Sequence, residues 1–161
     1  PEQERERFCQ VLHHSRTSLY RLAFSITRNS SDAQEAVAEA VCRAYERYPQ
    51  LREKEKLPRW LLKITANEAR RLCQRRGRTV SLDDLPTEPA IPGRETGDDT
   101  LWQAVQTLPR DQREAVVLFY YEDLPTEEIA RIVGTSPGAV RVRLSRAREK
   151  LRSILKEGDY G

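Results

Sequence analysis

No two of the three cysteines, Cys9, Cys42 and Cys73, lie near one another, and no CxxC pair occurs. An odd, scattered set of thiols argues against a disulfide framework, and the missing paired spacing argues against a zinc finger. Cys9 stands four residues before the adjacent pair His13 and His14, but no further ligand cluster joins them, so no metal site is expected. The sequence also lacks a phosphate-binding glycine loop, a nucleophile–histidine–acid set and a paired-carboxylate motif. No enzymatic chemistry and no cofactor are therefore expected. Apolar runs of signal-peptide or membrane length are missing, which points to a soluble, cytoplasmic chain without membrane insertion. Strand-like alternation of useful length is absent as well, and so are internal repeats. The sequence begins at Pro1, with no Met, and is expected to lack a few native residues.

What the sequence has in plenty is charge. Its 161 residues include 28 Lys and Arg against 25 Asp and Glu, a formal net charge of only +3. The chain is no polycation, so the informative quantity is where the bases cluster. Apolar residues make up 38% of the chain, enough for a lean core. Two small helical domains suit that composition better than one large one.

Taken in order, Glu2 to Thr27 reads as a first helix with Phe8, Leu12, Leu19, Leu22, Ala23 and Ile26 on its apolar face. Asn29 to Asp32 breaks it, and Ser31 with Gln34 has the form of a capping box for the next helix. That second helix runs to about Tyr48, with Ala33, Ala36, Val37, Ala40, Val41, Ala44 and Tyr45 inward and Glu35, Glu39, Arg43, Glu46 and Arg47 outward. Gln50 to Leu57 is polar and reads as a loop. Pro58 opens a third helix to about Arg76, with Leu61, Ile64, Ala69 and Leu72 inward. Its other side is lopsided in sign: Arg59, Lys63, Arg70, Arg71, Arg75, Arg76 and Arg78 stand against Glu68 alone.

From Gly77 to Gly97 the helical period stops, and prolines, glycines and acids predict a flexible acidic linker. A short helix follows from Asp98 to Thr107, with Leu101, Trp102, Val105 and Leu108 apolar. Another starts at Pro109, with Ala115, Val116, Leu118 and Phe119 inward, and Tyr120 and Tyr121 as core or helix-end packing. The expected fold is all-α: residues 1–76 and 98–161 form two small helical domains, joined by the linker 77–97.

The stretch from Asp123 to Lys156 carries the strongest pattern. Thr126 is placed to cap a short helix whose first turn holds Glu127 and Glu128, where the helix dipole favours carboxylates. Gly134 can take the left-handed conformation that ends it. Ser136 caps the next helix, with Pro137 at its first position. Val140, Leu144, Ala147 and Leu151 recur at helical spacing, and Arg141, Arg143, Arg146, Arg148, Lys150 and Arg152 fill the other sides. A short helix, a glycine turn and an Arg-rich second helix describe a helix-turn-helix, whose second helix docks in a DNA major groove. A merely solvated face would mix its signs to form pairs one turn apart, yet from Arg131 to Lys156 the only acid is Glu149.

These residues resemble a known family. LPRDQREAVVLFYYEDLPTEEIARIVGTSPGAVRVRLSRAREKL is similar to the C-terminal domain of extracytoplasmic-function sigma factors, a branch of the sigma-70 family. LYRLAFSITRNSSDAQEAVAEAVCRAY and LPRWLLKITANEARRLCQRR are similar to their N-terminal domain, and the two matches stand in the family's order. The resemblance implies a non-enzymatic subunit of transcription initiation. Its partners would be core RNA polymerase, promoter DNA and an anti-sigma factor.

Site residues follow from the same resemblance. Gln34, Glu35, Ala38 and Glu39 would contact core polymerase, although this chain has Ala36, Ala38 and Val41 where the family usually has Leu, Gln and Phe. Arg59, Trp60, Lys63, Asn67, Arg70 and Arg71 would serve the −10 element, with Trp60 mainly a packing residue. The loop from Gln50 to Leu57 would capture an extruded base. Arg141, Val142, Arg143, Ser145, Arg146 and Arg148 would bind the −35 element. Of these, Arg141 and Arg146 suit guanine, Val142 a thymine methyl, and Arg143 and Arg148 phosphates. Thr126 and Ser136 lie at helix N-termini, which can also hold phosphates. The alternative is a stand-alone helix-turn-helix regulator with an N-terminal oligomerisation domain.

Overall fold

The computed structural model describes residues 2–77 and 99–160, with side chains over 2–77 and 100–156. The chain divides into two compact units, Pro1–Ile91 and Pro92–Gly161. The segment read as a linker, 77–97, lies outside the described residues except for Gly77, and so does Asp98. Among the described residues every regular element is helical.

The first unit holds α1 (Glu2–Thr27), α2 (Ser30–Arg47) and α3 (Leu57–Arg76). Phe8, Leu19, Leu22, Ala23 and Ile26 are buried along α1, while Leu12 is only half-buried. The buried face of α2 is made of Ala33, Ala36, Ala40 and Ala44, whose small side chains let its neighbours approach closely. From α3, Leu57, Leu61, Leu62, Ile64, Ala66, Ala69 and Leu72 fill the remaining space. Each fully buried Leu contributes about 1.5–3 kcal/mol relative to exposure. The Cys73 thiol donates to the Ile26 carbonyl at 3.6 Å, so the C-terminal ends of α1 and α3 lie together.

Three local expectations change here. The capping box of Ser31 and Gln34 is not used. Arg28 takes the left-handed φ of 53°, which makes Asn29 the cap, and Asn29 Oδ1 accepts the Asp32 N–H at 2.9 Å. Partial burial holds the Arg28 guanidinium below the usual arginine range. Tyr45 is exposed, not inward; its ring rests edge-on against Phe8 at 5.3 Å and its hydroxyl accepts from Arg5 Nε at 3.0 Å. The polar loop before α3 is more ordered than its composition implies. It folds into two 3₁₀ turns, Tyr48–Gln50 and Lys54–Lys56.

The second unit holds α4 (Asp99–Gln106), α5 (Arg110–Val116), α6 (Thr126–Val133) and α7 (Pro137–Tyr160). Its core joins Trp102, Val105, Leu108, Val116, Leu118, Ile129, Val140, Leu144 and Ala147. Leu101 is exposed, because the buried stripe of α4 turns toward Trp102 and Gln106. Arg113, buried on α5, donates to the Leu108 carbonyl at 2.7 Å and so satisfies the chain just past α4. After Val116 the helix widens into a π turn, Val117–Tyr121. The extra residue per turn shifts the face, which leaves Phe119 half-buried and Tyr120 exposed, where a regular helix would put Phe119 inside.

Thr126 does not cap α6; it is the first helical residue, and the Pro125 carbonyl accepts the Glu128 and Ile129 N–H groups at 3.0 Å. The break to α7 follows expectation. Gly134 is left-handed at φ 78°, and its N–H reaches the Ala130 carbonyl at 2.8 Å. Ser136 Oγ accepts the Ala139 N–H at 3.1 Å, and α7 begins at Pro137. A Cβ added at Gly134 meets nothing within 4 Å, so Gly134→Ala isolates the conformational cost. That cost is about 1 kcal/mol, which should lower the melting temperature of so small a unit by about 4–8 °C in circular dichroism.

Candidate nucleic-acid and partner interfaces

α3 presents one polar arc. Arg59, Lys63 and Asn67 follow at four-residue intervals and are exposed, with Arg70 beside them half-buried. Trp60 is half-buried on one edge of the same arc, consistent with packing, and Arg71, three turns further on, is exposed on that same edge. Arg70 Nη1 leans to Asn67 Oδ1 at 3.4 Å.

The lone acid of this helix is turned away from the arc. The Glu68 side chain is 8% exposed and pairs with Arg43 of α2 at 2.9 Å and with Arg71 at 3.3 Å. Arg43 also lies 3.4 Å from Glu39. Asp32, at the start of α2, pairs with Arg76 at 3.0 Å, and Glu35 lies 3.7 Å from the same arginine. Asp32, Glu35, Glu39 and Glu68 thus pair along the α2–α3 seam, while Arg59, Lys63 and Asn67 face outward. A surface built this way offers cations and an amide to phosphates and bases. The pairs that align α2 with α3 were missed in the sequence. Glu68 itself was the signal, a single acid on an otherwise basic helix.

On α2, Gln34, Glu35, Ala38 and Glu39 are all exposed, on the side opposite the buried alanines. They form one patch of two i,i+4 pairs that mixes carboxylates with a short side chain.

α7 carries the second basic surface. Arg141, Val142, Ser145, Arg146 and Arg148 are exposed, and Val142 is 48% accessible despite being apolar. Arg143 stands apart from them. It is three residues after buried Val140 and four before buried Ala147, so it flanks the core, half-buried and 3.8 Å from Asp111 of α5. Arg148 Nη1 donates to the Tyr120 hydroxyl at 3.0 Å, a contact made possible by the π turn. The N-terminal half of α7 therefore offers two arginines, a small hydroxyl and an apolar side chain on one outward arc. That set matches the donor, acceptor and methyl pattern of a major groove. Thr126 and Ser136 both lie at helix starts, Ser136 already occupied as a cap.

Among the described residues no group of three or more His, Cys, Asp or Glu could hold a metal ion. Among the described residues no disulfide is formed. No helix searched is long and apolar enough to cross a membrane.

Comparison with known proteins adds names to this geometry. A family model described as Sigma-70 region 2 matches residues 11–79, and one described as Sigma-70, region 4 matches residues 98–151. The chain is 32% identical over 142 residues to RNA polymerase sigma factor SigV of Bacillus subtilis, covering 87% of this chain and 86% of that protein. It is 31% identical over 148 residues to the ECF RNA polymerase sigma factor SigE of Mycolicibacterium smegmatis, covering 85% of this chain and 57% of that protein. Among solved structures it is similar to the sigma factor RpoE from Bartonella quintana, crystallised with the anti-sigma factor NepR. There the TM-score is 0.78 at 25% identity, over 97% of this chain and 98% of that one.

Proposed function

The chain belongs to the extracytoplasmic-function sigma factors of the sigma-70 family, and from that premise we propose how its surfaces divide the work of a sigma factor. The arc of α3 (Arg59, Trp60, Lys63, Asn67, Arg70 and Arg71) binds the −10 element. The arc of α7 (Arg141, Val142, Ser145, Arg146 and Arg148) binds the −35 element, with Arg143 contributing charge from the flank. Gln34, Glu35, Ala38 and Glu39 meet core RNA polymerase. Residues 1–76 and 98–161 act as separate grips joined by 77–97, and the protein works in the cytoplasm, where an anti-sigma factor can hold it.

One observation carries this reading. Two basic helical faces, on α3 and α7, stand in the order of the two matched family regions, and the acid of the first is folded inward onto Arg43 and Arg71. Sigma work is binding work. Phosphate contacts place the protein, base contacts select the sequence, and an extruded base repays its unstacking in a pocket. A stand-alone regulator would instead bind a palindrome as a dimer, without polymerase.

The direct test is transcription in vitro with core polymerase. Promoter-specific transcripts should require the chain, and no stimulation together with no co-purification with core would contradict the reading. Asn67→Ala tests the division of labour. It should slow promoter opening about tenfold while leaving closed-complex binding within about twofold, since it removes a base or sugar contact and no charge. Normal permanganate reactivity in that variant would count against the role.

A further inference from the structure

At the end of α2 one buried ring organises the loop that leads into α3. Tyr48 is 3% exposed, and its ring lies 5.3 Å from that of Phe8 on α1, inclined at 60°. The same ring also meets a cation. Lys54 Nζ sits 4.3 Å from the Tyr48 centroid and also donates to the Tyr48 carbonyl. The same carbonyl accepts the Leu51 N–H at 3.0 Å. Two donors on one acceptor close the segment 48–54 into a loop pinned at both ends. Just beyond it, Lys56 Nζ pairs with Glu53 at 3.0 Å, and the Lys56 N–H reaches the Glu53 carbonyl at 3.0 Å.

Composition alone would count Lys54 among the loop's phosphate contacts, alongside Arg52 and Lys56. The structure separates them. Arg52, Glu53, Glu55 and Lys56 are exposed, whereas Lys54 is half-buried and spends its ammonium on Tyr48. A cation over an aromatic face is attracted by the ring quadrupole, more strongly where water is excluded. Tyr48 supplies such a place, because Phe8 and the end of α2 cover it.

We propose that Lys54 is a positioning residue for base recognition: it latches the loop 50–57 to the Tyr48–Phe8 stack, so that the loop meets an extruded base already shaped. This rests on the reading that the loop serves the −10 element, and it names the device that fixes its form. A loop ordered in advance loses less freedom on binding, and its contacts discriminate between bases more sharply.

The test uses the full chain with three substitutions. Lys54→Met keeps a long unbranched stem but removes the charge and the donors. Lys54→Arg keeps a cation for the ring. Lys56→Met removes a neighbouring exposed cation as the control. In the free chain, hydrogen exchange at the Leu51 amide should quicken about tenfold in Lys54→Met and stay unchanged in Lys56→Met. In the holoenzyme, opening rates on promoters bearing each of the four bases at the extruded position should lose about tenfold of their spread in Lys54→Met and regain it in Lys54→Arg.

Salt separates a latch from a phosphate contact. Each lost single-strand phosphate contact lowers the slope of log affinity against log salt by about 0.7, and a latch leaves the slope unchanged. A lower slope in Lys54→Met with base preference intact would overturn the proposal, as would unchanged Leu51 exchange. A wild-type holoenzyme with no base preference at the −10 element would overturn the loop's reading and the positioning role with it. The exchange result would still decide whether the latch exists.

Discussion

Arg146→Ala should reduce transcription from a promoter that depends on its −35 element by about tenfold to a hundredfold, the loss of one bidentate arginine–guanine contact. The argument is geometric. Arg146 is exposed on α7 beside Ser145 and one turn after Val142, and the buried line of that helix, Val140, Leu144 and Ala147, does not include it. Surface substitutions of this kind usually change stability by no more than about 0.5 kcal/mol, so the fold should survive. Arg146→Lys sharpens the test. Lysine keeps the charge but lacks the planar fork, so it should recover part of the affinity and little of the discrimination. Promoters with the −35 guanines replaced one at a time would locate the contact. Unchanged output from Arg146→Ala on a −35-dependent promoter would remove this arginine from the recognition set.

Trp102→Ala should cost the second unit about 3–5 kcal/mol, the usual range for removing a large buried aromatic side chain. Trp102 is 2% exposed and packs edge-on against Tyr121, with ring centres 5.5 Å apart. It is the largest anchor of α4, a helix of 8 residues that could not hold its shape alone. Small domains have total stabilities of about 5–15 kcal/mol, so the change consumes much of the margin. Urea titration followed by circular dichroism should show the midpoint falling sharply, and Trp102→Phe should recover more than half of the loss. A midpoint shift equivalent to less than about 1 kcal/mol would mean that α4 is held elsewhere.

The helices were legible in the sequence because their signals were local. The sequence Gly134, Thr135, Ser136, Pro137 states a left-handed stop, a cap and a proline start, and the chain follows it. The alanines of α2 mark its inner face by spacing alone. The misses needed information from elsewhere in space. Asn29 and Ser31 are both good caps, and the left-handed turn at Arg28 decides between them. Tyr45 reads as part of an apolar stripe, but Phe8 and Arg5 hold it at the surface. The π turn inserts one residue, which no periodicity count reveals, and it moves Tyr120 outward to meet Arg148.

The candidate sites divide in the same way. The arc on α3 and most of the arc on α7 follow from helical spacing, while the patch on α2 was read from the family resemblance. Arg143, read with the outward arginines, flanks the core instead, although its distance from Val140 and Ala147 carried the signal. The ties of Glu68 to Arg43 and Arg71, and of Lys54 to Tyr48, were not legible. They join residues on separate elements, and only the assembled bundle brings them together.

The alanine face of α2 has a consequence for how such a protein can change over generations. Ala33, Ala36, Ala40 and Ala44 are each 2% exposed or less, in an interior where a single added methylene is felt. Mutations to larger residues there would wedge α2 away from its neighbours, so that side of the helix is closed to drift. The opposite side, with Gln34, Glu35, Ala38 and Glu39 in solvent, is free of that packing restraint and answers instead to what it binds. One helix therefore carries an inherited, nearly fixed face and an editable one back to back. A lineage with this fold can revise which surface it offers to other proteins one exposed residue at a time, with the bundle behind it unaltered.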